Sequence, residues 1–411
     1  MPFRVRGVWA GPSEAGLSRE SVGAFLDGLR EAGFNAVFMN VKQGDGSICW
    51  PSKRFAQAVR PEYQDFDLPA ILIEEGHKRG IEIHAWMIDF MEGEGGVAFR
   101  EHPEWAMLNP AGKPTNHEIL RGNRFDAVWM CPARRPGYTD QWLVPMYEEL
   151  AEMYAFDSIH HDYVRYPGDL APDQYCYCDY CLEHLPKWAG YINEAYPEEP
   201  FHHDLYDRGY LEAHWEQSPR ILPPNWDGLS REFKSNFLRE GSFFQGGRAD
   251  LDFFFYSYRM HWITEFARLS GESVYAHGGK ISGAYFKNPV HSGRFIGQDW
   301  RTFSPWSDIC IPMDYRDHFP GTMDHYLDLL EKAIDRQKTW CRHGGGDQDL
   351  YIGFAIWPLY REAPDGPYDH DRVKRTIERI ESTGVAGVVV FCSWDLDKYG
   401  VRETVTRALT G

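Results

Sequence analysis

No apolar run in the 411 residues approaches the roughly 18–20 that a membrane-spanning helix needs. The N-terminus lacks a signal-peptide pattern, because Met1-Pro2-Phe3-Arg4-Val5-Arg6 leads directly into a strand-like segment. The expectation is a cytoplasmic protein with reduced thiols. Positive charge is scarce: 43 Lys and Arg face 61 Asp and Glu, a formal net charge of −18. Such a chain repels phosphate backbones and anionic lipid, so neither a nucleic-acid nor a membrane partner is expected. A glycine loop of the phosphate-cradling kind and a serine nucleophile elbow are also missing. No sequence repeat organises the chain.

What is present belongs to a globular protein with a full core. The 43% hydrophobic and 25% charged content excludes disordered, collagen-like and coiled-coil classes. The organising signal is an alternation of strands and helices. Val5 to Trp9 is short and apolar and is followed by Gly11-Pro12. A helix comes next, with Ser18 as N-cap, Val22, Phe25, Leu26 and Leu29 on one face, and Gly33 as its stop. Further strands read at 36–41, 81–88, 158–163, 281–286, 308–315, 350–357 and 385–394. Helices read at 67–80, 142–154 (bent at Pro145), 251–269, 323–334, 371–382 and from Arg402 onward, while the stretch between strands five and six is poorly patterned. Eight uninterrupted strands in strict alternation predict an α/β protein, a single (β/α)8 barrel over residues 1–411. Long connections interrupt it after the third strand (89–135) and the fourth (168–249). Loops of this length are usually functional, and in barrels the loops after strands build the active face. The 168–249 insertion either caps the cleft or makes a contact between copies of the chain, as in a homo-oligomer.

Barrel chemistry is therefore sought at the C-terminal ends of strands. These carry Trp9; Asn40, Lys42 and Asp45; His84, Trp86 and Asp89; His160, His161, Asp162, Arg165 and Tyr166; Tyr285 and Lys287; Asp314 and Tyr315; Trp357; and Trp394 and Asp395. Carboxylates, flat rings and hydrogen-bond donors converge there, a set suited to carbohydrate. Cleaving a glycosidic bond takes two carboxyl groups, one to donate a proton and one to attack or to activate water. Asp162 is the first candidate, as nucleophile or base, with Arg165 able to hold its charge. Asp314 is the candidate proton donor, and Asp89 and Asp395 are reserves. His84 and His161 read as sugar-hydroxyl contacts, core hydrogen bonds or metal ligands. Trp9, Trp86, Trp357 and Trp394 read equally as core or as sugar platforms.

Cysteine usage splits in two. Cys49, Cys310, Cys341 and Cys392 are isolated. Cys176, Cys178 and Cys181 form a C-x-C-x-x-C run just after the fourth strand, with Cys131 upstream. Four thiolates fit a closed tetrahedral structural zinc site better than disulfides in a reduced compartment. His184 is the alternative fourth ligand, and no catalytic cofactor is expected.

Several segments together resemble the bacterial family-10-like glycosyl hydrolases. They are Arg6-Gly7-Val8-Trp9, Gly33-Phe34-Asn35-Ala36-Val37, Gly80-Ile81-Glu82-Ile83-His84-Ala85-Trp86, His102-Pro103-Glu104-Trp105 and Asp157-Ser158-Ile159-His160-His161-Asp162-Tyr163. The runs Asp162-Tyr163-Val164-Arg165-Tyr166-Pro167 and Pro312-Met313-x-Tyr315 resemble related glycoside-hydrolase domains. The resemblance is dense from residue 4 to about 166 and sparse beyond. It implies a (β/α)8 barrel acting on glycosidic bonds, with Asp162 in the catalytic role. The cysteine arrangement is similar to the zinc site of family 42 β-galactosidases. This chain departs from them in having Asp162 rather than Glu at the fourth strand and no Glu in Ile352-Gly353-Phe354-Ala355-Ile356-Trp357.

The resulting expectation is a glycosidase acting on an oligosaccharide or glycoside through Asp162 and Asp314. Trp9, Asn40, Lys42, His84, Trp86, Asp89, His161, Arg165, Tyr285, Tyr315, Trp357, Trp394 and Asp395 would line the substrate site. Two rivals are a metal-dependent barrel hydrolase built on His84, His161 and Asp162, and a catalytically silent carbohydrate-binding barrel.

Overall fold

Eight parallel strands close into a barrel in the computed structural model, which describes residues 3–185, 188, 226–244, 249–343, 348–361 and 370–411. They are β1 (Val5–Ala10), β2 (Ala36–Lys42), β3 (Glu82–Ile88), β4 (Ser158–Asp162), β5 (Ile281–Phe286), β6 (Ile309–Met313), β7 (Asp349–Ala355) and β8 (Gly387–Phe391). Each pairs with its sequence neighbours, and β8 returns to β1 with Phe391 beside Trp9. The helical layer includes α1 (Arg19–Glu31), α2 (Leu68–Lys78), α3 (Val144–Met153), α4 (Ala249–Ala276), α5 (Pro289–Ile296), α6 (Met323–His343), α7 (Asp371–Ser382) and α8 (Arg402–Thr410). This is the (β/α)8 barrel that the alternation predicts. Among the described residues no helix is long and apolar enough to cross a membrane.

Local chemistry explains the boundaries. Ser18 caps α1 by accepting from the Ser21 amide at 3.0 Å, and Asp67 caps α2 by accepting from the Ala70 amide at 3.1 Å. A π-type turn at Thr139–Leu143 precedes α3 and puts Pro145 in the helix's first turn, where a missing N–H breaks no bond. The poorly patterned stretch between β5 and β6 folds as α5 followed by the short helix Trp300–Phe303. β7 and β8 end earlier than expected, so Trp357 and Trp394 stand in the short helices Trp357–Arg361 and Ser393–Lys398. Of the expected 168–249 insertion, residues 186–187, 189–225 and 245–248 lie outside the described residues, and the described part includes the helix Arg231–Phe244.

Strand alternation splits the core in two. Val5, Trp9, Phe38, Trp86, Ile311, Met313, Tyr351 and Val389 cluster inside the barrel. Val8, Val37, Met39, Ile83, Ala85, Ile159, Cys310, Ile352 and Val390 join the cluster shared with the helices. A chain of hydrogen bonds runs through the interior. The Trp9 indole Nε1 donates to His160 Nε2 at 3.1 Å, so the proton of this neutral imidazole sits on Nδ1, 2.9 Å from Ser282 Oγ. Ser282 Oγ lies 2.7 Å from Ser158 Oγ, which lies 2.7 Å from His84 Nδ1. Burial holds the His160 pKa well below the usual histidine range.

A second polar network is buried at the top of β2 and β3. Lys42 Nζ donates to the Ile88 carbonyl at 2.6 Å and lies 3.2 Å from Glu92 Oε1, with both side chains fully buried. The Tyr138 hydroxyl donates to the same Glu92 oxygen at 2.5 Å. Removing one partner of such a pair strands the other charge. Lys42→Met is therefore expected to cost about 3 kcal/mol, read as a fall in the urea midpoint at unchanged slope.

Candidate active site

Period-two alternation along β4 turns Ser158, His160 and Asp162 inward and Ile159 and His161 outward. Asp162 ends the strand at the barrel mouth and keeps 6% exposure. Tyr163 follows at φ 54°, in the left-handed region, and its amide folds back to donate to Asp162 Oδ1 at 2.7 Å. The Trp86 indole donates to Oδ2 at 3.1 Å. Burial pushes the Asp162 carboxyl up to about 6, against the opposing pull of Arg165 and of these two donors.

Aromatic contacts form a ring around this carboxyl group. Trp86 meets Phe391 edge-on at 6.1 Å between ring centroids, Phe391 meets Tyr315 at 5.8 Å, and Tyr315 stacks with His318 at 5.3 Å. His318 stacks with Phe286 at 5.7 Å. The Arg165 guanidinium closes the ring, 5.1 Å from the Phe286 centroid and 4.4 Å from that of Tyr163. Trp129 packs on Tyr163 at 5.6 Å, and Trp394, 42% exposed, stands edge-on to Phe391 at the rim. Trp357 packs against the interior cluster. Among the described residues, Asp162 is the one carboxyl group hydrogen-bonded within this ring. Flat rings around a proton-holding carboxyl suit the C–H faces of a sugar beside a bond to be cleaved.

The structure therefore gathers Asp162, Arg165, Trp86, Tyr315 and Trp394 from the expected site and adds Trp129, Tyr163, Phe286, His318 and Phe391. It puts the rest elsewhere. Trp9 is an interior core residue bound to His160. His84 lies deeper in the barrel, stacked on Phe38 at 4.2 Å. Asn40 donates to the carbonyls of Lys42 and Trp86, and Lys42 serves its buried ion pair. Asp89 and His161 pair at 2.9 Å on the helix side of the strands, where the Tyr147 hydroxyl donates to Asp89 at 2.7 Å. Tyr285 also faces the helices, donating to Ser307 at 2.6 Å. Asp395 is buried in the short helix after β8, 3.9 Å from Lys398.

Asp314 does not face Asp162. Tyr315 takes the inward position, and Asp314 turns to α6, where it accepts from Gln337 Nε2 at 2.9 Å and is fully buried. Burial pushes its carboxyl up to about 8. Unfolded, an aspartate titrates near 4, so the native state holds this proton more tightly. Its contribution to stability is complete below about pH 4 and is lost as pH rises toward 8. Asp314→Asn is expected to leave turnover within about threefold, far short of the loss from removing a proton-transfer group. The variant should gain on the wild type in urea midpoint between pH 6 and 9; a large drop in activity would restore Asp314 as proton donor. The metal-hydrolase arrangement fails for the same geometric reason, because His84, His161 and Asp162 occupy the barrel interior, the helix side and the mouth.

The cysteines do converge. Cys131, Cys176, Cys178 and Cys181 are buried with all four sulfurs within 4.8 Å of one another, and Cys131 Sγ lies 3.6 Å from Cys181 Sγ and 3.8 Å from Cys178 Sγ. Tetrahedral Zn–S bonds of ~2.3 Å would separate sulfurs by ~3.8 Å, so this donor set fits a metal ion. His184 is not a ligand; its Nδ1 meets the Tyr180 carbonyl at 2.9 Å. The cluster ties the loop after β4 to the strand Ala127–Trp129, two residues from the mouth's Trp129.

Residues 4–187 match the family described as Glycosyl hydrolase-like 10. The chain is 27% identical over 204 residues to Glycosyl hydrolase YngK of Bacillus subtilis, covering 43% of this chain and 37% of that protein. It is 27% identical over 184 residues to Glycosyl hydrolase DigH of Escherichia coli, covering 41% and 40%. The matched segment thus spans about two-fifths of the length of these relatives. Among solved structures, the glycoside hydrolase domain of PgaB (BpsB) from Bordetella bronchiseptica superposes with a TM-score of 0.62 at 14% identity, over 98% of each chain, which is a likeness of fold.

Proposed function

We propose that this chain is a glycoside hydrolase that cleaves an O-glycosidic bond of an oligosaccharide or glycoside bound across the barrel mouth. The observation that carries the reading is Asp162, a buried carboxyl group in a ring of aromatic side chains, pushed up to about 6. Such a group keeps its proton up to about pH 6, where an ordinary aspartate is ionised, and releases it as the glycosidic oxygen gains charge, so proton donor replaces the expected role of nucleophile or base. The Trp86 and Tyr163 N–H groups then stabilise the carboxylate left behind. Trp394 and Phe391 offer stacking faces to the sugar, and Arg165 orients its hydroxyls. Similarity over residues 4–187 to glycosyl hydrolases supports the same reading.

In this reading the four cysteines hold a structural zinc ion, with no open position for chemistry. When bound, the ion neutralises thiolate charge and fixes the loop after β4 against Trp129. Thiolate ligands require reduced cysteines, which accords with a cytoplasmic setting. A second reading, a sugar-binding barrel without turnover, draws on the lone carboxyl group of the ring. A panel of chromogenic glycosides, together with reducing-end release from oligosaccharides, separates the two. Turnover of at least one substrate is expected, whereas glycan binding with no cleavage across the panel would favour the silent barrel.

A further inference from the structure

Inverting hydrolysis needs two proton-transfer groups, and among the described residues the mouth's ring has one hydrogen-bonded carboxyl group. The imidazole in that ring is His318, in the turn Arg316–His318 just after β6. Two runs of contacts join it to Asp162, one through Trp86, Phe391 and Tyr315 and the other through Tyr163, Arg165 and Phe286. Its protonation pattern is fixed. Met313 O can only accept, so His318 Nδ1, 2.9 Å away, carries the proton and Nε2 carries the lone pair. Among the described residues nothing hydrogen-bonds to that Nε2. Stacking between Tyr315 and Phe286 holds the imidazole plane.

We propose that His318 is the general base of an inverting hydrolysis, with Asp162 as the general acid; this rests on the glycosidase reading above. The Asp162 carboxyl proton passes to the glycosidic oxygen as the bond from that oxygen to the anomeric carbon breaks. A water molecule attacks the anomeric carbon from the opposite face and gives its proton to His318 Nε2. Solvent then carries one proton from the imidazolium to the Asp162 carboxylate, leaving two free sugars, one with inverted configuration. Burial above all keeps the base free. Burial disfavours the imidazolium, as do Lys287 and Arg165, while Asp317 and the Met313 carbonyl favour it, and the net shift is downward. The active form pairs protonated Asp162 with neutral His318, so the rate should peak on the acid side of neutrality, with His318 setting the acid limb and Asp162 the alkaline one.

The test uses the full chain and the chromogenic glycoside that it cleaves fastest. His318→Ala and His318→Gln are expected to lower kcat by about 10²–10⁴-fold, to lose the acid limb and to keep the alkaline one. Azide, a nucleophile that needs no base, should restore turnover in His318→Ala, and proton NMR should show the inverted anomer as first product of the wild type. A retained anomer, or near-normal activity in both His318 variants, overturns the assignment while leaving the glycosidase reading intact. Loss confined to Asp317→Asn also overturns it, by moving the base to that carboxylate. If the wild type cleaves no member of the panel, the glycosidase reading itself fails, and the role of His318 goes with it.

Discussion

Asp162→Asn should lower kcat by roughly 10²–10⁴-fold, the usual contribution of a positioned proton-transfer group, without weakening the fold. The second half of that expectation follows from the sign of the pKa shift. The carboxyl titrates near 4 in the unfolded chain and about 6 in the folded one, so the native state binds its proton more tightly. The associated stability is present in full below pH 4 and disappears between 4 and 6, about 3 kcal/mol in all. At pH 7.5 the wild type carries a desolvated carboxylate that an amide does not. The amide oxygen can still accept from one of the two donors, while its NH2 must face the other, which offsets part of the gain. The variant's Tm at pH 7.5 should therefore equal or exceed the wild type's, and the wild type should recover relative to it as pH falls toward 4. Substantial turnover in the variant would remove Asp162 from the chemistry. A collapse of Tm would mean that the residue serves the fold.

The second large effect concerns the thiol cluster. One tightly held metal ion per chain is expected in the wild type and none in Cys176→Ser. Structural zinc sites bind with about 10–16 kcal/mol, so loss of the ion should destabilise this chain by more than about 5 kcal/mol. Elemental analysis with chelator titration followed by circular dichroism reads both quantities. Activity should fall as well, because Cys131 lies two residues from Trp129, which packs on Tyr163 beside Asp162. Full metal content in the serine variant would place the ion elsewhere, and an unchanged Tm would mean that the sulfurs are only packed together.

Most of the barrel was legible because its signals are local. Buried parallel strands read as short apolar runs, and the Ser18 cap marked a helix start that the structure keeps. The site was legible only to the nearest residue. At β5 the inward ring belongs to Phe286, not Tyr285; at β6 to Tyr315, not Asp314; on β4 to His160 and Asp162, not His161. Each miss is one position, because a strand end composed of polar and aromatic residues carries no hydrophobic alternation to show which side faces in. His318 was missed for another reason. It belongs to a turn beyond the strand, and the bond from its Nδ1 to the Met313 carbonyl, with its stacking on Tyr315 and Phe286, ties it to the mouth. The cysteine cluster was the opposite case, since thiol spacing alone foretold a convergence that packing then delivers.

The short segment from Asp157 to Asp162 is constrained in length more than in composition. Gaining or losing one residue within it would swing His161 into the mouth and bury Asp162 among the helices, trading both positions at a stroke. Natural variation there should consist of substitutions. A scan of single-codon deletions should abolish activity throughout this segment.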